Sequence, residues 1–242
     1  MPLIETESLV LKSYNLAEAD RIVVLLTHDH GIVRAVAKGA KRLKSRFGSG
    51  LEPFTEIRAS YFQKDNVELV SLQGAELVRS NFVFASDPDF LESFAFLSDL
   101  LISLTPPHDP NRDLFRMVRA CLGAVAERAE ALPAVAVYFE LWLLKLAGYL
   151  PDWSRCDVCG RILDVSEEAN VQANFHLLCS NCRRSASNRV LDGPSRELVG
   201  RALKVSPADF SSVVADPERL RSISSILRDI IAAAVGHEVR RA

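Results

Sequence analysis

Four cysteines stand in two pairs, Cys156-x-x-Cys159 and Cys179-x-x-Cys182, in the pattern C-x2-C-x19-C-x2-C. A C-x-x-C turn brings two sulfurs within about 4 Å, and two such turns supply the tetrahedral four-thiolate set that Zn2+ takes at about 2.3 Å per bond. Gly160 follows the first pair, where a tight knuckle favours positive φ. Four thiolates fill the tetrahedron and leave no open position for water, so the expected ion is structural, one Zn2+ per chain. His176 lies close enough in sequence to replace one cysteine, but the set is already complete. Two disulfides or a redox dithiol are the alternatives. The opening MPLIETESLV carries Glu5 and Glu7 and no basic stretch, so it lacks the pattern of an export signal, which favours the reduced, metal-bound reading. Cys121 sits in an apolar helical pattern and is expected in a core.

A second constellation is electrostatic. Between Asp29 and Glu52 no acidic residue occurs, while Arg34, Lys38, Lys41, Arg42, Lys44 and Arg46 all do. The whole chain has a formal charge of -2, so it is no general basic coat, and a polyanion site must come from local clustering. Arg34, Val36 and Lys38 share one face of a strand pattern, and glycines 39, 48 and 50 would let the backbone approach a ligand. A barrel face beside a basic loop makes a groove for a phosphodiester backbone, with Phe47 and one of Tyr61 and Phe62 as candidate stacking partners. Arg21 on the preceding strand is a further candidate. The bland alternative is a solvated loop. Arg112, Arg116 and Arg119 line one face of a helix pattern beside Leu114, Phe115 and Met117, which by itself reads as a solvated face.

Little points to catalysis. The sequence holds no H-E-x-x-H, no Walker A segment and no G-x-S-x-G. The His28-Asp29-His30 cluster lies between two strand patterns and reads as a polar turn. A two-metal nuclease needs several convergent carboxylates, and none stand out.

The elements that must position these groups follow from periodicity. Five strand patterns, beginning with Ser8–Tyr14, Arg21–Thr27 and Ile32–Lys38, occupy the first 76 residues. The last two, Phe54–Lys64 and Val67–Gln73, flank a turn at Asp65-Asn66. Five strands in so short a span suit a closed barrel. From Asp87 the period becomes helical: Asp87–Leu104 with Asp87 capping and Pro88 at N1, then Asn111–Glu130, then a segment from Pro133 to Gly148 that is apolar on most sides. The cysteine segment follows, strand-like at each end, before helix resumes at Gly193–Val205 and Asp216–Val239. This implies an α+β multidomain chain: a barrel over 1–80, a helical domain from 81–152 and 190–242, and a metal module inserted at 153–189. With 48% hydrophobic residues and no apolar run long enough for a bilayer, no membrane association is expected.

The segment Val10–Ile57 closely resembles the N-terminal region of the RecO family of bacterial DNA repair and recombination mediators. Glu18–Asp20 ("EAD"), Thr27-x-x-x-Gly31, Val36–Arg42 ("VAKGAKR") and Leu51-x-Pro53-Phe54 carry the resemblance, and Phe139–Gly160 looks like the family's central helix leading into its cysteine module. The resemblance implies an OB-fold barrel, a helical domain and a zinc-ribbon-like insertion, with no enzymatic activity. It implies binding of single- and double-stranded DNA, annealing of complementary strands, and work with RecR to load RecA onto DNA coated by single-stranded-DNA-binding protein, whose acidic C-terminal tail is contacted, with the Arg112, Arg116 and Arg119 stripe as the candidate site for that tail. It also implies a cytoplasmic, nucleoid-associated protein. A zinc-ribbon factor in transcription or translation, or a metal-dependent nuclease, is the competing expectation.

Overall fold

Strand β1 (Leu3–Asn15) is long because it serves two neighbours. Its first half pairs with β4 (Glu56–Phe62) and its second with β2 (Arg21–Thr27), and the register shifts between Val10 and Lys12. Such a bulge bends the strand and raises its twist, as a barrel corner requires. With β3 (Gly31–Ala37) and β5 (Leu69–Arg79), the strands close in the order β1-β2-β3-β5-β4. All pairs are antiparallel except β3 with β5. This is an OB-like five-stranded barrel, and closure leaves no sheet edge. Val23, Leu25, Val33, Ala35, Ile57, Ala59 and Leu72 alternate into its core. The computed structural model describes residues 3–63, 68–81, 84, 86–183, 189–214 and 216–236.

Strand β1 starts five residues before the expected Ser8. Thr6 and Ser8 are its buried residues there, so apart from Ile4 the inward side carries hydroxyls and shows little apolar alternation. Strand β5 runs on to Arg79, past the expected Gln73, through two irregularities in its pairing with β4. The expected turn at Asp65-Asn66 lies outside the described residues.

Helix α1 (Pro88–Leu104) begins as the sequence indicates: the Asp87 carboxylate accepts from the backbone N–H of Asp89 and Phe90. Helix α2 (Arg112–Glu127) is capped by Asn111, whose Oδ1 accepts from Leu114 N–H at 2.9 Å. Phe54 meets Phe90 and Phe94 edge-on at 5.6 and 5.4 Å, which seats α1 against the barrel's β3–β4 connection.

The chain forms two compact units, residues 1–126 and 127–241. In the second, α3 (Leu132–Leu146) packs against α5 (Pro207–Val213) and α6 (Pro217–Val235). Being apolar on most sides, α3 is largely buried, and its one buried charge, Glu140, is held by Arg228 Nε at 3.2 Å and the Ser224 hydroxyl at 2.9 Å. Burial pushes the Glu140 carboxyl up, against the pull of those two partners. Helix α4 (Gly193–Ala202) precedes α5, and a small sheet in the order β7-β6-β8 joins Leu177–Leu178, Ala169–Val171 and Val190–Leu191. No helix among the described residues is long and apolar enough to cross a membrane.

Candidate nucleic-acid interface and metal centre

The basic segment leaves β3 at Lys38 and returns to the barrel at Phe47. Its path is fixed at both ends. The Asp20 carboxylate accepts from Gly39 N–H at 2.8 Å, and Ala19 C=O accepts from Lys41 N–H at 3.0 Å, so the β1–β2 turn holds the loop's first arm. Phe47 and Leu51, both buried in the barrel core, hold the second. Between these anchors Lys38, Lys41, Arg42, Lys44 and Arg46 are all exposed. None of the five meets a carboxylate among the described residues. Their contacts are to backbone and rings: Lys41 Nζ to Ala17 C=O at 3.4 Å, and Arg46 to Leu72 C=O at 3.3 Å with its guanidinium 5.0 Å from the Phe47 ring centre. Arg34 is exposed at 3.5 Å from Glu68, and Arg21 is half-buried at 3.3 Å from Glu52.

The aromatic expectations change. Phe47 is 3% exposed and Tyr61 is 0% exposed, so both are core side chains and neither can stack on a base. Burial pushes the Tyr61 phenol up to about 12, with Asp29 adding to the effect. Phe62 is half-buried. The exposed aromatic of this face is Tyr14, which the sequence reading passed over as the end of a strand. Gly50 also has another use. A Cβ there would lie 2.9 Å from Ala75 C=O, so this glycine admits β5 and not a ligand.

The three α2 arginines have acidic neighbours. Arg112 pairs with Asp29 at 2.8 Å, Arg119 with Glu7 at 3.1 Å and Glu56 at 3.4 Å, and Arg116 with Asp113. Two of these tie α2 to the barrel. For Asp29, desolvation is outweighed by His28 and Arg112, which hold its carboxyl below the usual range.

In the second unit the two cysteine pairs converge. The sulfurs of Cys156, Cys159, Cys179 and Cys182 all lie within 4.8 Å of one another, and Cys159 Sγ is 3.9 Å from Cys179 Sγ. A disulfide needs about 2.05 Å, whereas a tetrahedron with bonds of about 2.3 Å puts its sulfurs about 3.8 Å apart. The donor chemistry agrees with the spacing. Desolvation opposes a Cys156 thiolate, but the N–H groups of Cys159, Cys179 and Val158 outweigh it and draw that thiol down to about 6. Hydrogen bonding with Cys179 and Cys159 pushes Cys182 up to about 12. Four sulfurs this close cannot all ionise without a cation among them, so the set fits a divalent metal. Gly160 closes the first knuckle at φ +71°. His176 is instead paired through Nδ1 with Asp157 at 3.0 Å.

The module has little else to hold it. The first part of its inter-pair segment is not a strand, contrary to expectation: Ile162 makes only an isolated bridge to Arg155, and Ile162 and Val165 are exposed. Arg196 of α4 provides an anchor the sequence reading missed. Its buried guanidinium donates to the carbonyls of Leu163, Asp164 and Glu167. Trp153 Nε1 donates to Phe175 C=O at 2.9 Å.

Two family models together match nearly the whole chain: "Recombination protein O N terminal" over residues 1–81 and "Recombination protein O C terminal" over residues 86–241. Relatives described as DNA repair protein RecO share this coverage. The one from Koribacter versatilis is 32% identical over 94% of this chain and 91% of its own length, and the one from Geobacter metallireducens is 33% identical over 94% and 91%. The Thermobifida fusca relative is 32% identical over 92% and 89%.

Proposed function

Since this chain belongs to the RecO family of DNA repair proteins, we propose that it is a non-enzymatic recombination mediator whose basic β3–β4 loop binds DNA backbones. The observation that carries the reading is the contrast in charge pairing. Lys38, Lys41, Arg42, Lys44 and Arg46 point from one anchored loop with no carboxylate partner among the described residues, while the arginines of α2 are all paired. Unpaired surface cations are what a phosphate backbone can engage without first breaking an ion pair. Arg34 extends this surface along β3, and Arg21, closer to Glu52, sits at its margin.

Such contacts carry no base information, so the loop would accept single and double strands of most sequences. Annealing needs no bond chemistry. Cations lower the repulsion between two phosphate backbones, and the bases then pair. In this reading the protein acts with RecR to load RecA onto DNA coated by single-stranded-DNA-binding protein, in the cytoplasm at the nucleoid. The coat protein's acidic tail would reach Arg112, Arg116 and Arg119 only by exchanging with Asp29, Asp113, Glu7 and Glu56.

The four-sulfur set holds one structural Zn2+ in this reading and makes a zinc-ribbon-like module. The ion would replace a core that strands of two and three residues cannot build. The test is annealing of two complementary labelled strands by the wild type and by a variant with Lys38, Lys41, Arg42 and Lys44 changed to Ala. Annealing should fall with DNA affinity in the variant. Equal annealing by a folded variant would remove the loop from the mechanism.

A further inference from the structure

The barrel face beside the basic loop presents a ring that phosphate contacts leave unused. On β1, Tyr14 stands opposite Ile22 of β2, and Ile22 stands opposite Val36 of β3, so the three form one row across the sheet. The bulge between Val10 and Lys12 puts Tyr14 on the outer side. Before it, Ile4, Thr6, Ser8 and Val10 face inward with Tyr61, Ala59 and Ile57 as partners; after it, Ser13 faces inward opposite Val23. Tyr14 is 47% exposed and its phenol has no hydrogen bond among the described residues, while Ile22 and Val36 are half-buried beside it. Arg34 on β3 and Lys38, the first residue past its end, flank Val36, and two residues along a strand span about 7 Å, the scale of one nucleotide. An aromatic ring on an apolar row, with cations on both sides, is the arrangement that takes a base flat on the ring and its phosphates at the rim.

We propose that Tyr14, on its Ile22–Val36 row, is a stacking platform for an unpaired base, and that it makes this face prefer single strands to duplex. The inference rests on the reading that the adjacent loop binds DNA. Phosphate contacts alone give no preference for a single strand, since the duplex carries the denser phosphate charge. A base in a duplex has both faces covered by its neighbours, so only an unpaired base can lie on Tyr14. Of the other rings considered for this role, Phe47 and Tyr61 are in the core, and Phe62, half-buried on β4, lies opposite Leu3 at the far end of β1 from Tyr14.

The test uses the full chain, a labelled oligo(dT) strand and a duplex of equal length, with anisotropy read over a salt series. Y14T removes the ring but keeps a residue suited to a strand, and Y14F keeps the ring without the hydroxyl. Y14T should weaken single-strand binding about 5- to 150-fold at every salt concentration. It should leave the slope of log K against log[salt] unchanged, since stacking releases no counterions. Duplex affinity should not move, and Y14F should behave as wild type. A folded Y14T protein that binds oligo(dT) normally, or loses both DNA forms equally, overturns the platform. The four-residue loop variant runs alongside. If it too binds normally, the DNA interface itself is wrong; if it alone is weakened, only the platform fails.

Discussion

Replacing Lys38, Lys41, Arg42 and Lys44 together by Ala should flatten the salt dependence of DNA binding while leaving the fold intact. The fold survives because these side chains are exposed and the loop is held by other groups: Gly39 N–H on Asp20, Lys41 N–H on Ala19 C=O, and Phe47 in the core. The magnitude follows from counting cations. Six groups, the five unpaired ones and Arg34, meeting phosphates at about 0.7 counterion each on a single strand give a slope of about -4. Arg34 and Arg46 alone leave about -1.5. Between 50 and 200 mM salt the wild type should lose about 250-fold in affinity and the variant about 8-fold. Anisotropy of a labelled strand measures both curves, and a thermal melt confirms that the variant is folded. A folded variant that is weaker but keeps the wild-type slope would refute the reasoning, because its lost contacts would not have been ionic.

Three further outcomes follow from the packing. F47A should destabilise the barrel by about 3–5 kcal/mol in urea unfolding, the cost of emptying a core aromatic site; a stable protein that merely bound DNA less well would return Phe47 to the surface. Stripping metal with a chelator should expose the backbone of the cysteine module to hydrogen exchange while α3 and α6, packed on each other, stay protected. Unchanged exchange in the module would separate its fold from metal. R228A should cost about 3 kcal/mol near pH 8, since it leaves the buried Glu140 carboxylate with Ser224 alone. Burial already holds the Glu140 carboxyl above its ordinary value, and losing Arg228 raises it further. Between the unfolded and folded values the native state keeps the extra proton. The contribution of Glu140 to stability is therefore greatest below its unfolded value and falls as pH rises through the folded one. The R228A penalty should shrink at pH 5.5, and an equal penalty at both pH values would contradict it.

What could be read from the sequence was what neighbours decide. Asp87 with Pro88, and Asn111, announced two helix starts because a cap acts within one turn. The two C-x-x-C turns announced a four-sulfur cluster because each knuckle is local. Helix α5 was missed although its signal was present: Ser206 precedes Pro207 and accepts from Asp209 N–H. Other features depend on distant partners. Phe47 sits between Arg46 and Gly48 in a segment that looks solvated, and only the return of the loop into the barrel buries it. Tyr14 needs the bulge at Val10/Lys12, which switches inward-facing residues from even to odd numbers, and nothing local marks that switch. Arg196 finds its three carbonyls about thirty residues upstream. The change to helical period at Asp87 marks a change of secondary structure; the phenylalanines at 54, 90 and 94 decide what α1 packs against.

The closing pair of the barrel bears on how the chain acquires its shape. Strand β1 meets β4 from Leu3↔Phe62 onward, and β3 has no second neighbour until the parallel strand β5 arrives beside Arg34–Val36. During synthesis the apolar β2 segment, Arg21–Thr27, therefore emerges long before the strands that complete its enclosure. Loops this long must be closed before their contacts are gained, so the barrel should form in milliseconds to seconds and late in its own translation. Until then the lysine-rich arm has only the β1–β2 turn to lean on, and its cations are spread along an unfixed chain. At that stage the exposed aliphatic strands are the aggregation hazard, and the like charges of this arm repel those of a neighbouring nascent chain.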